Sequence, residues 1–273
     1  MKLPAWNRGP LCRRKRMFAE ERYLRIMELV NRDGKATVAE LSDALGVSPV
    51  TVRRDLEKLE EKELLVRTHG GAMALHSRVS EVAHEKSFSE KEEALVAEKE
   101  RIAEAAAKLV NDEDAVLLTA GTTNMMLAKK LAGKKGLKVV TNAANIAVQI
   151  GNYADFEVIL IGGKLRPKSY ALVGPLAEST LASIRVDKLF LGVDGFDLRE
   201  GLTTPNLSEA NMDRNMISIA KEVIVVADHS KFGRVFFSHV APLSVVHKVV
   251  TNRELDARTC DRIRDLGIQL IVT

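Results

Sequence analysis

The chain has 273 residues, 46% hydrophobic and 29% charged, with a formal net charge of +4. That length accommodates two domains, the composition is that of a globular protein, and so mild a basic excess permits nucleic-acid binding without requiring it. Two distant cysteines, Cys12 and Cys260, exclude a disulfide framework and a cysteine-rich metal site, and no apolar run is long enough to span a bilayer. The expectation is a cytoplasmic protein with no metal, no cofactor and no membrane partner.

Residues 1–18 read as a basic, disordered arm. Lys2, Arg8, Arg13, Arg14, Lys15 and Arg16 stand there without an acidic residue, and no apolar segment follows as in a signal peptide. Two readings stay open: the arm touches DNA phosphates, or Met17 is the start and the arm is translated upstream sequence.

Residues 19–75 read as a winged helix-turn-helix. A first helix covers about Ala19 to Val30, with Leu24, Ile26, Met27 and Leu29 on its apolar side and Gly34 as its left-handed end. Thr37 and Glu40 form a capping-box pattern for a second helix ending at Gly46, with Val38, Leu41, Ala44 and Leu45 facing a small core. Ser48 caps a third helix, Pro49 fits its first position, and Val52, Leu56 and Leu59 recur at helical spacing.

The polar side of this third helix faces solvent or a partner. Ser48, Thr51 and Arg54 are placed to reach bases and Arg53 to reach phosphate, and Lys58 is a further DNA-binding candidate on the side left to a partner. Asp55 repels phosphate and is expected to orient an arginine or to pair within the domain. A strand reaches Arg67, and Gly70 and Gly71 allow a tight turn or a close approach, which makes a wing where Arg67 and His69 can reach the DNA backbone or minor groove. A basic helix alone is equally a solvated face. The capped pair of helices followed by a glycine-bearing hairpin is what points to double-stranded operator DNA.

Residues 76–90 are highly charged and read as a linker. From 91 to 273 the pattern becomes strands alternating with helices, which predicts a largely parallel sheet covered on both faces, an α/β domain for effector binding and oligomerisation. Strands are expected at 115–119, 137–141, 156–161, 188–193, 222–227, 246–250 and 268–272. Polar residues gather where these strands end: Gly121, Thr122, Thr123, Asn142, Gly162, Gly163, Lys164, Asp194 and Lys231. They can converge on one crevice at the carboxyl edge of the sheet, with Lys231 suited to a phosphate and Asp194 to sugar hydroxyls or an amine. Lys164, Arg166 and Lys168 form either a rim facing the ligand or a solvated charged loop. His229 either touches ligand or faces solvent. No nucleophile–histidine–acid set stands out.

The stretch Val47-Ser-Pro-Val-Thr-Val-Arg-Arg-Asp-Leu-Glu-Lys-Leu59, continued by Arg67-Thr-His-Gly-Gly-Ala72, resembles the DeoR family of bacterial transcriptional regulators. Gly121-Thr-Thr123, Val140-Thr-Asn142, Gly162-Gly163, Gly192-Val-Asp-Gly195 and Asp228-His-Ser-Lys-Phe232 extend the resemblance over about residues 20–272.

The resemblance implies a winged helix-turn-helix and a C-terminal domain similar to sugar-phosphate isomerases and coenzyme A transferases. It implies a repressor of a carbohydrate operon, a phosphorylated sugar or amino-sugar effector, and a homodimer or homotetramer. Thr122, Thr123, Asn142, Gly163, Asp194 and Lys231 become its ligand-site residues. The sequence departs from the family at Thr119, where many members carry an acid. Residues 190–198, Gly201-Leu-Thr-Thr204 and Glu209-Ala210 look most like regulators of amino-sugar pathways.

Beside the ligand-controlled repressor, which is not an enzyme, two other readings stand. One is a phosphosugar-processing enzyme with an autoregulatory DNA-binding module. The other is an architectural DNA-binding oligomer without a ligand.

Overall fold

The computed structural model describes residues 19–33, 35–62, 64–68, 70–74, 85–153 and 155–273. The basic arm, Gly34, His69 and most of the expected linker lie outside the described residues. The chain divides into two compact units, Met1–Ser80 and Glu81–Thr273.

The first unit contains α1 (Ala19–Asp33), β1 (Lys35–Thr37), α2 (Val38–Leu45), α3 (Pro49–Glu61), β2 (Leu65–Thr68) and β3 (Gly71–Ala74). The caps form as the sequence predicts. Thr37 and Glu40 close a capping box, and Gly46 ends α2 at φ 65°. Ser48 Oγ accepts from Thr51 N at 3.2 Å at the start of α3, a cap worth about 1 kcal/mol. Ile26, Val30, Leu41, Leu45, Val52, Leu56 and Leu59 make the core.

Two expected core residues face outward. Leu24 is 69% exposed and Ala44 is exposed. The inward stripe of α1 runs instead through Ile26 and Val30, with Tyr23, Met27 and Leu29 packed beside it. A strand that periodicity did not show, β1, completes a sheet of order β1-β3-β2. Three residues are too few to display alternation.

The second unit contains α4 (Phe88–Glu93), α5 (Val96–Ala107), β4 (Ala115–Leu118), α6 (Thr122–Lys130), β5 (Lys138–Thr141), α7 (Ala144–Ile150) and β6 (Glu157–Leu160). Then come β7 (Lys164–Leu165), β8 (Leu172–Val173), α8 (Pro175–Leu181), β9 (Val186–Leu191), β10 (Gly195–Asp197), β11 (Gly201–Thr204), α9 (Leu207–Ser218) and β12 (Ala220–Val226). The chain closes with β13 (Ser238–Ala241), β14 (Lys248–Thr251), α10 (Ala257–Asp265) and β15 (Gln269–Val272). The linker expected up to residue 90 ends earlier, because Ser87 and Glu90 form a capping box that starts α4.

Seven strands form one parallel sheet of order β15-β14-β12-β9-β4-β5-β6. All seven were legible in the sequence. Alternate residues feed two cores: Leu117, Val140, Leu189 and Val225 face α8, α9 and α10, whereas Val116, Leu118, Val139 and Val226 face α5, α6 and α7. This is the two-sided burial that makes parallel strands read as continuous apolar runs. A small antiparallel sheet, β10-β11-β13, lies on the first face. Successive strands run β4, β5, β6 to one edge, then restart beside β4 with β9, β12, β14 and β15. The direction of winding therefore reverses between β4 and β9, where open sheets of this kind leave a crevice.

Candidate DNA reader and ligand crevice

The reader is built around α3. Its buried side carries Val52, Asp55, Leu56 and Leu59. Arg22 on α1 grips Asp55 through two bonds, Nε to Oδ2 at 2.7 Å and Nη2 to Oδ1 at 3.1 Å. That pairing turns this acid inward, and the exposed positions carry Arg53, Arg54 and Lys58 together with Glu57, Glu60 and Glu61. Ser48, Arg53, Arg54 and Lys58 are exposed, and Thr51 is half-buried with its hydroxyl 2.9 Å from Ser48 Oγ.

The wing is fastened to this helix pair. Val38 N donates to Gly70 O at 2.8 Å. A Cβ on Gly71 would stand 2.1 Å from Ala36 O, so glycine permits β3 to reach β1. Arg67 is exposed, 3.8 Å from Glu57 on α3, and its N–H donates to Glu60 at 3.3 Å. Arg67 thus stands beside the polar side of α3. His69, expected at the wing tip, lies outside the described residues.

The crevice of the second unit lies at the carboxyl ends of β4, β5, β9 and β12. It is lined by Gly121, Thr122, Thr123, Asn142, Asp194 and Lys231, so six of the nine expected residues come together. Gly121 holds φ 144°, a conformation reserved for glycine, and turns β4 into the start of α6. The first N–H groups of α6 have no intrahelical acceptor, and Thr122, Thr123 and Asn124 of this first turn line the crevice. Asn142 Oδ1 accepts from Ala120 N at 3.2 Å and ties the β4 turn to the end of β5.

Gly162, Gly163 and Lys164 are exposed and do not line the crevice. Gly163 serves packing: at φ 132°, a Cβ there would come within 2.8 Å of Val173 O. Lys164 pairs with Val173 in a two-stranded ribbon that carries it outward. The strand-end rule misplaced these three because β6 is an edge strand, two strands away from β4 at the winding switch.

Charge in the crevice is arranged in pairs. Lys91 Nζ lies 2.7 Å from Asp194 Oδ1, and Thr204 Oγ1 donates to Asp194 Oδ2 at 2.9 Å. Burial alone would raise the Asp194 pKa, but the Lys91 and Lys231 ammonium groups and these bonds hold it below its ordinary value. Lys231 follows Asp228, which caps the short turn at His229–Lys231 by accepting from Ser230 N at 3.0 Å. Burial lowers the Lys231 pKa against the opposing pull of Asp194 and Asp228. Its ammonium has no hydrogen-bond partner among the described residues. His229 does not line the crevice; its Nδ1 is 2.8 Å from Asn252 Nδ2.

Sequence reasoning missed several lining residues: Phe88, Lys91, Lys99, Thr204, Glu209 and Asp213. Lys99 is 3% exposed, donates to the carbonyls of Lys91 and Ala94, and has its pKa lowered by burial. Arg166 is neither a free phosphate rim nor a solvated charge, since it bridges Glu85 at 2.7 Å and Glu209. Lys168 does line the crevice. Lys91 and Lys99 sit in a charged stretch that looks solvated, and a buried lysine amid acids has no periodic signature. Thr119, the family departure, stays beneath the crevice: its hydroxyl accepts from Gly192 N at 2.9 Å and Asn124 Nδ2 at 3.1 Å. Among the described residues no group of three or more His, Cys, Asp and Glu is placed to hold a metal ion.

A winged helix-turn-helix in one unit and a doubly wound sheet with a polar crevice at its winding switch in the other define a transcriptional regulator with a sensor domain. The chain matches the DeoR-like helix-turn-helix domain over residues 22–78 and the DeoR C terminal sensor domain over residues 95–253. It belongs to the DeoR family of transcriptional regulators.

The HTH-type transcriptional regulator YulB of Bacillus subtilis is 39% identical over 93% of this chain and 96% of its own length. The glycerol-3-phosphate regulon repressor of Escherichia coli K12 is 33% identical over 93% of this chain and 99% of its own. Ribose 5 phosphate isomerase A from Neisseria gonorrhoeae superposes with a TM-score of 0.36 at 17% identity, covering 50% of this chain and 53% of that one. So distant a likeness carries no argument about catalysis. No helix among the described residues is long and apolar enough to cross a membrane.

Proposed function

We propose that the protein represses a carbohydrate operon and releases its operator when a phosphorylated sugar or amino sugar occupies the crevice. The observation that carries this is Lys231: a lysine that lines the same crevice as the α6 N-terminus, its ammonium with no hydrogen-bond partner among the described residues. The N–H groups of Thr122 and Thr123 and this ammonium together suit a phosphate. Asp194, Thr204 and Asn142 supply acceptors and donors for sugar hydroxyls.

On the DNA side, Ser48, Thr51 and Arg54 reach base edges while Arg53, Lys58 and Arg67 hold phosphates. The protein acts as a homodimer or homotetramer, so that two readers meet a repeated or inverted site. Release requires that the ligand bind the DNA-incompetent state more tightly than the competent one. The glycerol-3-phosphate named in one relative supports a small phosphate ester, and the stretch around Asp194 an amino sugar.

Fluorescence anisotropy on the upstream operator, with and without a panel of sugar phosphates and amino-sugar phosphates, tests both halves. Selective binding that a panel member weakens is the expected result. Absence of sequence-selective binding overturns the DNA half, and indifference to the whole panel overturns the sensor half.

A further inference from the structure

Helix α3 turns Val52, Leu56 and Leu59 into the core of the reader. At helical spacing, the line opposite that side carries Val50, Arg54, Glu57 and Glu61, all exposed. Three of the four are charged, as a solvated line should be. Val50 is the exception: it is 69% exposed and stands outside the reader's core. Burial therefore gives no reason for a valine there. Helix propensity gives none either, since a β-branched side chain favours a helix less than alanine, glutamate or lysine does.

The polar groups around Val50 are largely engaged within the first turn. Ser48 Oγ accepts from Thr51 N at 3.2 Å and lies 2.9 Å from Thr51 Oγ1, so the two hydroxyls bond to each other. Val52 N donates to Ser48 O at 3.1 Å, and Pro49 has no N–H to offer. The tip of α3 thus presents the exposed Pro49 ring and the two Val50 methyl groups. A recognition helix brings its N-terminal residues to base edges in the major groove. Those edges are hydrogen-bond donors and acceptors, apart from one prominent apolar group, the 5-methyl of thymine. Valine can pack on that methyl. It can replace none of the water that it would displace from a guanine N7 or O6 or a cytosine amine, so those edges are disfavoured beneath it.

Building on the DNA-binding reading above, we propose that Val50 is a specificity-determining residue that packs against the 5-methyl group of an operator thymine. Within a helix the valine side chain holds essentially one rotamer, so its methyl groups are set before DNA arrives. Arg54 stands four residues further on the same line, about 6 Å along the helix axis. The thymine therefore lies within about two base pairs of the one that Arg54 contacts, at about 3.4 Å per pair. The two side chains divide the work: the guanidinium reads hydrogen-bonding edges, and the valine reads a methyl.

The test uses the full chain as wild type and Val50→Ala, titrated by anisotropy with the upstream operator duplex and with a series in which one thymine at a time is replaced by deoxyuridine. Uracil keeps every hydrogen-bonding group of thymine and lacks only the methyl. Replacing one particular thymine should weaken wild-type binding about fourfold, the weight of one buried methyl group. That thymine should fall within about two base pairs of the position whose preference Arg54→Ala relaxes. Val50→Ala should bind the thymine and uracil duplexes alike at that position, the signature of a direct coupling between side chain and methyl. The uracil scan of the wild type does not depend on whether the variant folds. Equal binding to every uracil duplex by a wild type that still selects the operator over unrelated DNA overturns the role of Val50. So does a uracil effect that persists in a folded Val50→Ala. A wild type that does not select the operator at all overturns the DNA-binding reading itself.

Discussion

Arg22 Nε lies 2.7 Å from Asp55 Oδ2, joining the first helix of the reader to the inward side of its recognition helix. Both side chains are largely buried, at 15% and 6% exposure. Replacing Asp55 with alanine leaves the guanidinium without this partner inside a small domain. Breaking a buried pair costs about 3 kcal/mol. Asp55→Ala should lower the denaturation midpoint of the reader and weaken operator binding more at 37 °C than at 10 °C. Unchanged chemical denaturation would show that the pair does not hold α1 to α3.

The outward side of the same helix should respond differently. Arg54→Ala is expected to cost about 1–3 kcal/mol of operator affinity and to relax preference at one base position. Lys58→Ala should weaken all sequences alike and reduce the slope of log affinity against log salt by about 1. Competition anisotropy on operator variants across a salt series separates the two. Identical behaviour of the two variants would overturn the division into base and phosphate contacts.

Thr119 makes its own prediction at the winding switch. Its hydroxyl receives the Gly192 N–H and the Asn124 amide, stitching the end of β4 to the loop after β9. Thr119→Val keeps the shape and removes the acceptor. The loss should be about 1–3 kcal/mol, the cost of leaving buried donors unmatched, read by urea unfolding of the sensor transition.

Asp213 on α9 gives a pH dependence. Burial first, then the Glu209 and Asp194 carboxylates, push its pKa well above the ordinary 3.8, against the pull of Arg214. A raised folded pKa means that its contribution to stability is complete below the unfolded value and is lost as pH rises through the folded one. Asp213→Asn carries no such charge. The variant should therefore melt a few degrees higher than wild type at pH 7 and converge with it toward pH 4. A constant gap across that range would show that the carboxylate does not titrate in this way.

Much of this architecture was legible in the residues because it is local. The Thr37–Glu40 box, the Ser48-Pro49 start of α3 and the seven apolar strand runs each declare themselves within a few positions. Six of the nine expected crevice residues follow from strand ends near the winding switch. Gly162, Gly163 and Lys164 did not, because a strand end says nothing of whether its strand is central or at an edge. Leu24 and Ala44 failed for a related reason: apolar identity and spacing do not tell which of two neighbouring stripes the partner helix covers.

The sequence by itself determined a capped third helix, a glycine-bearing wing and a parallel α/β domain, since caps, turns and periodic burial act over short spans of chain. Only the tertiary structure decided which charges meet. It turned Asp55 inward to Arg22, brought Glu85 and Glu209 onto Arg166, and set Lys91 against Asp194. Desolvation and pairing depend on separations through space, and the strand order that creates those separations is fixed when the sheet assembles.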